Sequence, residues 1–234
     1  MEGLYERPRF AVTIMKALLS TTYFGPVQWY QKLYRYEEVE IEQWESFQKQ
    51  TYRNRCLIAT TQGIQALTVP VERGTSPLIK DIRISDHGNW RHLHWNALVS
   101  AYGESPFFEY YQDDIRPFFE KRWEYLLDFN EAIREKMCEL LDIQPKVKYS
   151  LEFKVYSLEM NTLVAEKSTI NYKQSIINKE IDFREGIRPK HSQPDPDFEP
   201  KPYYQVYQQK HGFLANLSVL DLLFNMGPEG IFYL

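Results

Sequence analysis

The chain has 234 residues, 43% of them hydrophobic, and a formal net charge of −4, which is the composition of a folded globular protein. Aromatic residues make up 15% of the chain and exclude an extended disordered protein, because such proteins are poor in aromatics. The interspersed acids and bases disfavour nucleic acid as a partner, and two cysteines, Cys56 and Cys138, are too few for a disulfide framework or a four-ligand zinc site.

Residues 1–14 are predicted to be an N-terminal extension that is disordered, because Met15 opens the first strand-like segment and resembles a natural start. Whether this extension is native stays open. The chain has no secretory signal pattern and no run of about 18 apolar residues, so no membrane span is expected. Two unpaired thiols are typical of the cytoplasm, which is the expected compartment.

The first half of the chain alternates predicted strands and a helix. A turn at Tyr23-Phe24-Gly25-Pro26 follows the first strand, and its last two residues are suited to begin a helix. Alternating apolar residues predict further strands, two of which flank a glycine-containing turn. The expected elements are a strand at 15–20, a helix at 27–36, a strand at 39–42, a hairpin of 54–60 with 64–71, and a strand at 79–85.

Helices are predicted to dominate the middle of the chain. Asn89 and the Ser105-Pro106 pair provide two helix starts, and a later amphipathic stretch is one helix or two, with a break near 128–130. Five prolines make 184–203 a loop. The expected elements are helices at 90–102, 105–113 and 118–141, a strand at 146–157, and a short C-terminal helix at 217–224 that ends at Gly227-Pro228.

This order of elements predicts an α/β or α+β fold with one mixed β-sheet, a helical middle segment and a short C-terminal helix. We expect residues 15–234 to form a single domain. The proline-rich loop at 184–203 is an excursion from that domain, because too little core follows it to fold alone.

Two histidines lie two residues apart in the helix predicted at 90–102. On a helix, His92 and His94 point about 200° apart, so a shared metal ion is not expected and no metal site is predicted. Two interpretations of His94 remain open. It is either a histidine packed between tryptophans, or a general base or a partner for a sugar hydroxyl.

Three cations, Lys49, Arg53 and Arg55, lie within seven residues just before a predicted strand. Arginines can bind a phosphate or a carboxylate through two hydrogen bonds, so this segment is a candidate anion site. The alternative is a solvated edge that offsets nearby acids. The loop at 20–26 is a second candidate location, because ligands favour the carboxyl ends of strands and helix N-termini.

Ser218 and Asp221 stand at the start of the C-terminal helix. Their spacing predicts a capping box, in which both side chains bind free backbone amides. A catalytic role for Asp221 is the alternative. Cys56 lies in a predicted apolar strand and is expected to be a buried, inert thiol.

Motifs along the chain occur in the order of a known family. They are LSTTYFGPVQWY at 19–30, QTYRNR at 50–55, LTVPV at 67–71, Trp90 with His94-Trp95, Tyr102 with SPFF at 105–108, Tyr204-Gln205, and LSVLDLLFN at 217–225. On these motifs the sequence resembles the WbqC-like family of bacterial proteins. Gly25 departs from the proline found in many members, and residues 150–203 depart more widely, as in a shorter variant.

The resemblance implies a role in bacterial surface-polysaccharide or amino-sugar biosynthesis. The version we favour is a transferase that attaches an N-acyl or aminoacyl group to an activated sugar, with a nucleotide- or lipid-linked sugar as partner. No mechanism carries over residue by residue, and the resemblance assigns neither cofactor nor oligomeric state. The alternative is a non-catalytic module that binds a ligand or another protein.

The predicted site combines these motifs. His94 and Asp221 are the candidate catalytic residues, and Arg53 with Arg55 is expected to hold an anion. The candidate ligand-binding residues are Tyr23, Gln28, Tyr52, Arg53, Asn54, Arg55, Trp95 and Tyr102. Convergence of these residues on one concave pocket would favour an enzyme, whereas a dry core or a scattered arrangement would favour the module.

Overall fold

The computed structural model describes residues 12–72, 74, 76–151, 176–190 and 192–234. These residues form a parallel sheet, an antiparallel hairpin and a set of mostly short helices around one hydrophobic core. The elements in chain order are β1 Val12–Ser20, α1 Val27–Arg35, β2 Glu38–Glu42, β3 Arg55–Thr60, β4 Gly63–Thr68, α2 Trp90–Tyr102, α3 Phe108–Ile115, α4 Pro117–Glu120, α5 Leu126–Leu140, β5 Val147–Tyr149, β6 Ile176–Asp182, α6 Gln208–His211 and α7 Val219–Met226.

The main sheet has the strand order β5-β2-β1-β6, and its neighbouring strands are parallel. In β1, Ala17 pairs with Val39 on one side and with Ile181 on the other. Ala17, Leu18 and Leu19 are completely buried, as is typical of a parallel strand covered on both faces. Because the strands run the same way, their carboxyl ends meet at one edge of the sheet.

The second sheet is the antiparallel hairpin of β3 and β4, in which Ala59 pairs with Ile64. The two residues Thr61 and Gln62 connect the strands. Gly63 follows them with a φ of +103°, a conformation that side chains other than glycine rarely adopt. The predicted hairpin is therefore confirmed.

The predicted α/β class is confirmed. The strands divide between a parallel sheet and a separate hairpin, where one mixed sheet was expected. The helix predicted at 90–102 coincides with α2, and the predicted C-terminal helix corresponds to α7, which a 3₁₀ helix at Gly227–Tyr233 follows. No helix in the part of the chain that the structure describes is long and apolar enough to cross a membrane.

The strand predicted at 79–85 is wrong in its first half, which is a 3₁₀ helix at Ile79–Asp81. Side chains three residues apart share a face in a 3₁₀ helix, so Ile79 and Ile82 both reach the core. Arg83 and Ile84 then make isolated bridges with Tyr125 and Val71. The alternation of apolar residues predicts a strand, but here it arises from a helical turn that is followed by two extended residues.

The helix break predicted near 128–130 is also wrong in position. The interruption lies between α4 and α5, where the chain runs alongside residues 82–84 through hydrogen bonds from Ile84 N to Glu124 O and from Leu126 N to Ile82 O. Asn130, which suggested the break, lies inside α5 and donates from its buried side chain to the Arg53 carbonyl. A tertiary partner therefore stabilises this helix residue.

Two predicted segments extend beyond the described residues. β1 begins at Val12, so residues 12–14 of the predicted extension belong to the sheet, and the disorder expected for residues 1–11 lies outside the described residues. β5 covers Val147–Tyr149 of the strand predicted at 146–157, of which 152–157 lie outside as well.

The proline-rich segment is a loop, as predicted, and it is packed against α1. Lys32 and Asp195 form an ion pair at 2.8 Å, with side chains only 1% and 3% exposed. The Gln28 side-chain amide donates to the same carboxylate at 2.8 Å, and the Lys32 ammonium lies 4.4 Å from the centre of the Phe183 ring. These buried contacts fix the loop to the helix that follows β1.

Candidate functional site

Polar residues gather at the carboxyl edge of the parallel sheet. Ser20, Glu42 and Asp182 end β1, β2 and β6, and Ser150 follows β5. After β1 the chain crosses to β2 on one side, whereas β6 lies on the other side of β1. Such a reversal of strand order opens a crevice at the carboxyl ends of the strands, where α/β proteins commonly bind ligands.

Arg53 approaches this edge from the loop before β3 and pairs with Glu45. Its Nε and Nη2 atoms donate to the two Glu45 carboxylate oxygens at 2.7 and 2.6 Å, and Nη2 also donates to Ser20 Oγ at 2.9 Å. Both charged side chains are less than a tenth exposed. A bidentate pair in this geometry is strong, and it occupies most of the donors of Arg53.

Arg184 follows β6 and brings a second guanidinium to the edge. Its Nη2 atom lies 2.7 Å from Asp182 Oδ2, and Nη1 lies 3.9 Å from Glu42 Oε2 and 4.0 Å from Glu45 Oε2. Burial lowers the pKa of Arg184, but Asp182 and the two glutamates outweigh it, so the net shift is upward. We call Ser20, Glu42, Glu45, Arg53, Asp182 and Arg184 the edge cluster.

Glu42 is completely buried within the edge cluster. Its Oε1 atom accepts from Ser150 Oγ at 2.7 Å and from the Trp44 amide at 2.8 Å. Its Oε2 atom has no hydrogen-bond partner among the described residues. Within the same part of the chain, no three His, Cys, Asp or Glu side chains are placed to hold a metal ion.

The loop between β1 and α1 is tightly constrained. Phe24 has a φ of +40°, which is uncommon for a residue with a side chain. A Cβ atom at Gly25 would lie 2.4 Å from Thr22 Oγ1, so only glycine fits beside Thr22. Val219 N donates to the Gly25 carbonyl and Ser218 Oγ to the Phe24 carbonyl, so the start of α7 fixes the loop from outside.

A small cavity opens at the point where this loop, β6 and the Arg53 segment meet. Its volume is about 10 Å³, which is room for about one water-sized group. The residues that line it are Leu19, Ser20, Thr21, Thr22, Trp29, Tyr52, Arg53, Phe183, Arg184 and Ile187. The Thr21 and Thr22 hydroxyls are buried and have no hydrogen-bond partner among the residues described.

His94 lies away from the edge cluster, in an aromatic part of the core. Its Nδ1 atom is 2.9 Å from the Tyr23 hydroxyl, and its ring contacts Trp90 and Phe119. Burial lowers the pKa of His94 to about 4, against the upward effect of a hydrogen bond with the Thr68 backbone. His94 is therefore neutral near pH 7, and we assign the Tyr23 hydroxyl as the donor to Nδ1.

Asp221 is completely buried at the start of α7 and accepts three side-chain hydrogen bonds. They come from the Tyr102 hydroxyl at 2.9 Å, the Tyr203 hydroxyl at 2.8 Å and the Gln205 amide at 2.8 Å. Burial raises the pKa of Asp221, and the three hydrogen bonds oppose this. The predicted capping box is half formed, since Ser218 Oγ accepts from Leu220 N but Ser218 N donates to the Leu57 carbonyl.

The other predicted ligand residues lie in several places. Gln28 is buried between Asn216 and Asp195. The Asn54 amide donates to the Val69 carbonyl, and Arg55 Nε donates to the Thr68 hydroxyl on the neighbouring strand. Trp95 packs on Phe108 and Phe119, beside a surface cleft that is also lined by Arg91, His92, Arg116 and Arg122.

The structure thus brings only two of the ten predicted site residues, Tyr52 and Arg53, to the cavity at the sheet edge. Arg53 and Arg55 do not meet, because the first points to the edge cluster and the second lies along the hairpin. The catalytic roles of His94 and Asp221 stay predictions, and their contacts give each a structural role. Cys56 is buried, as expected.

Sequence reasoning missed most of the edge cluster. Glu42 and Glu45 are among the nearby acids of the alternative interpretation, a solvated edge, and Arg184 is only the first residue of the predicted loop at 184–203. One signal was available, because polar residues directly after predicted strands gather at one edge once the strands are parallel. That signal was applied to the loop at 20–26 but not to the end of β2, and β6 was not among the predicted strands.

Comparison with known proteins identifies the family. The model of the WbqC-like protein family matches residues 21–233. An uncharacterised protein of Mycobacterium tuberculosis (strain ATCC 25618 / H37Rv), Rv1507c, is 26% identical over 202 residues, which cover 80% of this chain and 83% of that protein. No solved structure gives a significant match. The motifs that run from the β1 loop to α7 are thus those of a family, and the chain belongs to the WbqC-like protein family.

Proposed function

We propose that this protein is a transferase of bacterial surface-polysaccharide or amino-sugar biosynthesis that attaches an acyl or aminoacyl group to the amine of an activated sugar. In this reaction the amine nitrogen bonds to the carbonyl carbon of the donor, and the bond from that carbon to the donor's leaving group breaks. The leaving group keeps the electron pair, and the amine loses one proton. The substrate class comes from the family resemblance.

The edge cluster is the observation that supports an enzyme most directly. Buried acids and guanidiniums at the end of a sheet are costly to desolvate, so proteins rarely gather them where a plain apolar core would serve. Here they lie at the reversal of strand order, beside the Thr21 and Thr22 hydroxyls, which have no hydrogen-bond partner among the described residues. In this proposal Thr21, Thr22 and Arg184 contact the substrate, while His94 and Asp221 support the elements that carry these residues.

The test measures turnover with purified protein, nucleotide-linked amino sugars, and acyl thioesters or aminoacyl adenylates as donors. We expect an amide product, and at least about a tenfold lower kcat/KM for Arg184→Met. Arg188→Met is the control, because Arg188 pairs with Glu185 and Gln48 and does not line the cavity. Absence of turnover with every donor, or equal activity of the two variants, would contradict the proposed site.

A non-catalytic module is the second candidate, and the size of the cavity favours it. A space of about 10 Å³ holds one small group, and much of the aromatic content fills the core. Calorimetric titration with the same sugars distinguishes the candidates. Saturable binding without any turnover would support the module over the transferase.

A further inference from the structure

The outer edge of β3 in the hairpin is occupied by contacts with the rest of the molecule. Ser218 N donates to the Leu57 carbonyl, and Ala59 N donates to the Tyr102 hydroxyl. These backbone groups of Leu57 and Ala59 therefore point away from β4. In an antiparallel pair, the residues directly opposite such groups point away from the first strand in the same manner.

The outer edge of β4 is open. The residues opposite Leu57 and Ala59 are Ala66 and Ile64, so the backbone N–H and C=O groups of Ala66 and Ile64 face outward. None of these four groups has a hydrogen-bond partner among the described residues. An open strand edge of this kind can accept another strand.

Helix α2 crosses one face of the hairpin and leaves this part of β4 accessible. Near the start of α2, His94 bonds to the backbone of Thr68, which lies further along the outer edge of β4. At the end of α2, Tyr102 reaches Ala59 at the outer edge of β3. The helix therefore passes diagonally from β4 to β3. A groove of about 530 Å³ lies beside the uncovered end of β4, and its lining is Thr60, Thr61, Gln62, Ile64, Gln65, Ala66, Ala97, Ser100 and Ala101.

The surface beside the open edge carries no formal charge. The sequence of β4, GIQALT, contains neither a charged residue nor proline, which commonly protect edge strands. Ile64 is 54% exposed. Leu93, 62% exposed, lies on the flank of α2 that continues through Ala97 and Ser100 into the groove. Where two identical surfaces meet about a two-fold axis, a charged patch would repel its own copy, so this uncharged surface suits a second copy of the chain.

We propose that β4 pairs with β4 of a second copy of this chain, antiparallel about a two-fold axis at Gln65, and joins the two hairpins into one four-stranded sheet. In this register Ile64 lies opposite the partner's Ala66, so the four outward groups of each chain are all bonded and a large side chain faces a small one. The flank of α2 that lines the groove then faces the partner. Because the outer edge of β3 is occupied, the assembly closes at two chains.

Sedimentation velocity of the full chain tests the pairing, since the mass at high concentration should be twice the 28.0 kDa of one chain. Gln65→Lys places like charges opposite each other at the axis and should weaken the dimer at least about tenfold, and Gln65→Glu should do the same. An equal mixture of these two variants should restore the dimer, because opposite charges then meet. Gln193→Lys is the matched control, since Gln193 is exposed in the proline-rich loop, outside this surface.

Ala66→Pro provides a second test, because it removes one outward N–H and leaves the hydrogen bonds of the hairpin in place. This variant should be a monomer. A wild-type monomer at every concentration up to about 1 mM would overturn the inference and leave the open edge to a strand of another protein. A dimer that neither Gln65 variant nor Ala66→Pro weakens would also overturn it, because the two copies would then meet elsewhere. Recovery of the dimer in the mixture would sustain it, since misfolded variants would not recover on mixing.

Discussion

Burial determines what the polar residues of this protein can do. Arg53 was predicted to meet an external anion, but Glu45 occupies its guanidinium. His94 is a candidate base, and its burial among aromatic rings lowers its pKa to about 4, which weakens it as a proton acceptor. The sequence singles out these residues, but it does not predict the partners that the structure gives them. Glu45 lies in a loop, and no local sequence pattern predicts that this loop passes close to Arg53.

Replacement of Arg53 by methionine should destabilise the protein strongly. The substitution leaves Glu45 buried without its bidentate partner, and breaking a buried pair in this way costs about 3–5 kcal/mol. The free energy of unfolding in urea measures the effect. Arg55→Met is the control and should cost less than about 1 kcal/mol, since Arg55 is half-buried and donates to a threonine hydroxyl. If Arg53→Met lowers the free energy of unfolding no more than Arg55→Met does, the ion pair of Arg53 and Glu45 contributes little to stability.

His94 should make stability depend on pH between about 4 and 6.5. In this window the unfolded histidine, with its ordinary pKa of 6.5, binds a proton that the folded one, with a pKa of about 4, does not. Stability is therefore fully present above pH 6.5 and falls as the pH drops towards 4, by about 3 kcal/mol in total.

Urea unfolding at a series of pH values measures this slope for the wild type and for His94→Gln. The plot of unfolding free energy against pH should be less steep for His94→Gln, because the uptake of one proton on unfolding is lost. His92→Gln should keep it, because His92 is exposed on the same helix. Parallel curves for the wild type and His94→Gln would refute the assignment of a buried neutral histidine.

At the scale of elements, patterns that are local in the chain were predictable. The unit β1-α1-β2 followed from an apolar run, a turn whose Gly25-Pro26 pair suits a helix start, and a second alternating segment, and the hairpin followed from alternation around Gly63. The pairing of β1 with β6 was not predictable, because the partners Val12 and Ile176 are far apart in sequence. For the same reason, the edge cluster could not be assembled from its separate motifs.

The ion pair of Lys32 and Asp195 should determine how firmly the proline-rich loop is held. Asp195→Asn leaves the Lys32 ammonium buried without its counter-charge, so the loop should detach more often. Limited proteolysis, with mass spectrometry of the fragments, should show cleavage within 184–203 about tenfold faster than in the wild type.

Asp197→Asn is the matched control. Asp197 is exposed and accepts a hydrogen bond from the Tyr36 hydroxyl at 3.3 Å. The loop of the Asp197→Asn variant should therefore be cleaved at nearly the wild-type rate. If both variants are cleaved at the same rate, the buried ion pair does not hold the loop.

At the scale of the whole molecule, Asp221 connects segments that are distant in sequence. Through Tyr102 it reaches α2 and, by the hydrogen bond from Ala59 N to the Tyr102 hydroxyl, also β3. The hydrogen bonds from Tyr203 and Gln205 connect Asp221 to the end of the proline-rich loop. A capping motif was visible in the sequence, but this network required the fold.

Removal of single hydroxyls should rank the contacts of Asp221. Tyr102→Phe should cost about 2–3 kcal/mol, because it removes a donor to Asp221 and the acceptor of the buried Ala59 amide. Tyr203→Phe should cost about 1–1.5 kcal/mol, because it removes one hydrogen bond. Urea unfolding measures both, with the exposed Tyr110→Phe as control. A larger loss for Tyr203→Phe would contradict this ranking.

The position of β1 in the sheet also affects how the protein is made. β1 is the first strand among the described residues, yet it lies between β2 and β6, and β6 ends at Asp182. During synthesis from the N-terminus, β1 can pair with β2 early, but one of its edges stays unpaired until β6 has emerged from the ribosome. An unpaired apolar strand edge is prone to aggregation. We therefore expect the nascent chain to depend on chaperones through most of its synthesis, and to lose that dependence once residue 182 has been released.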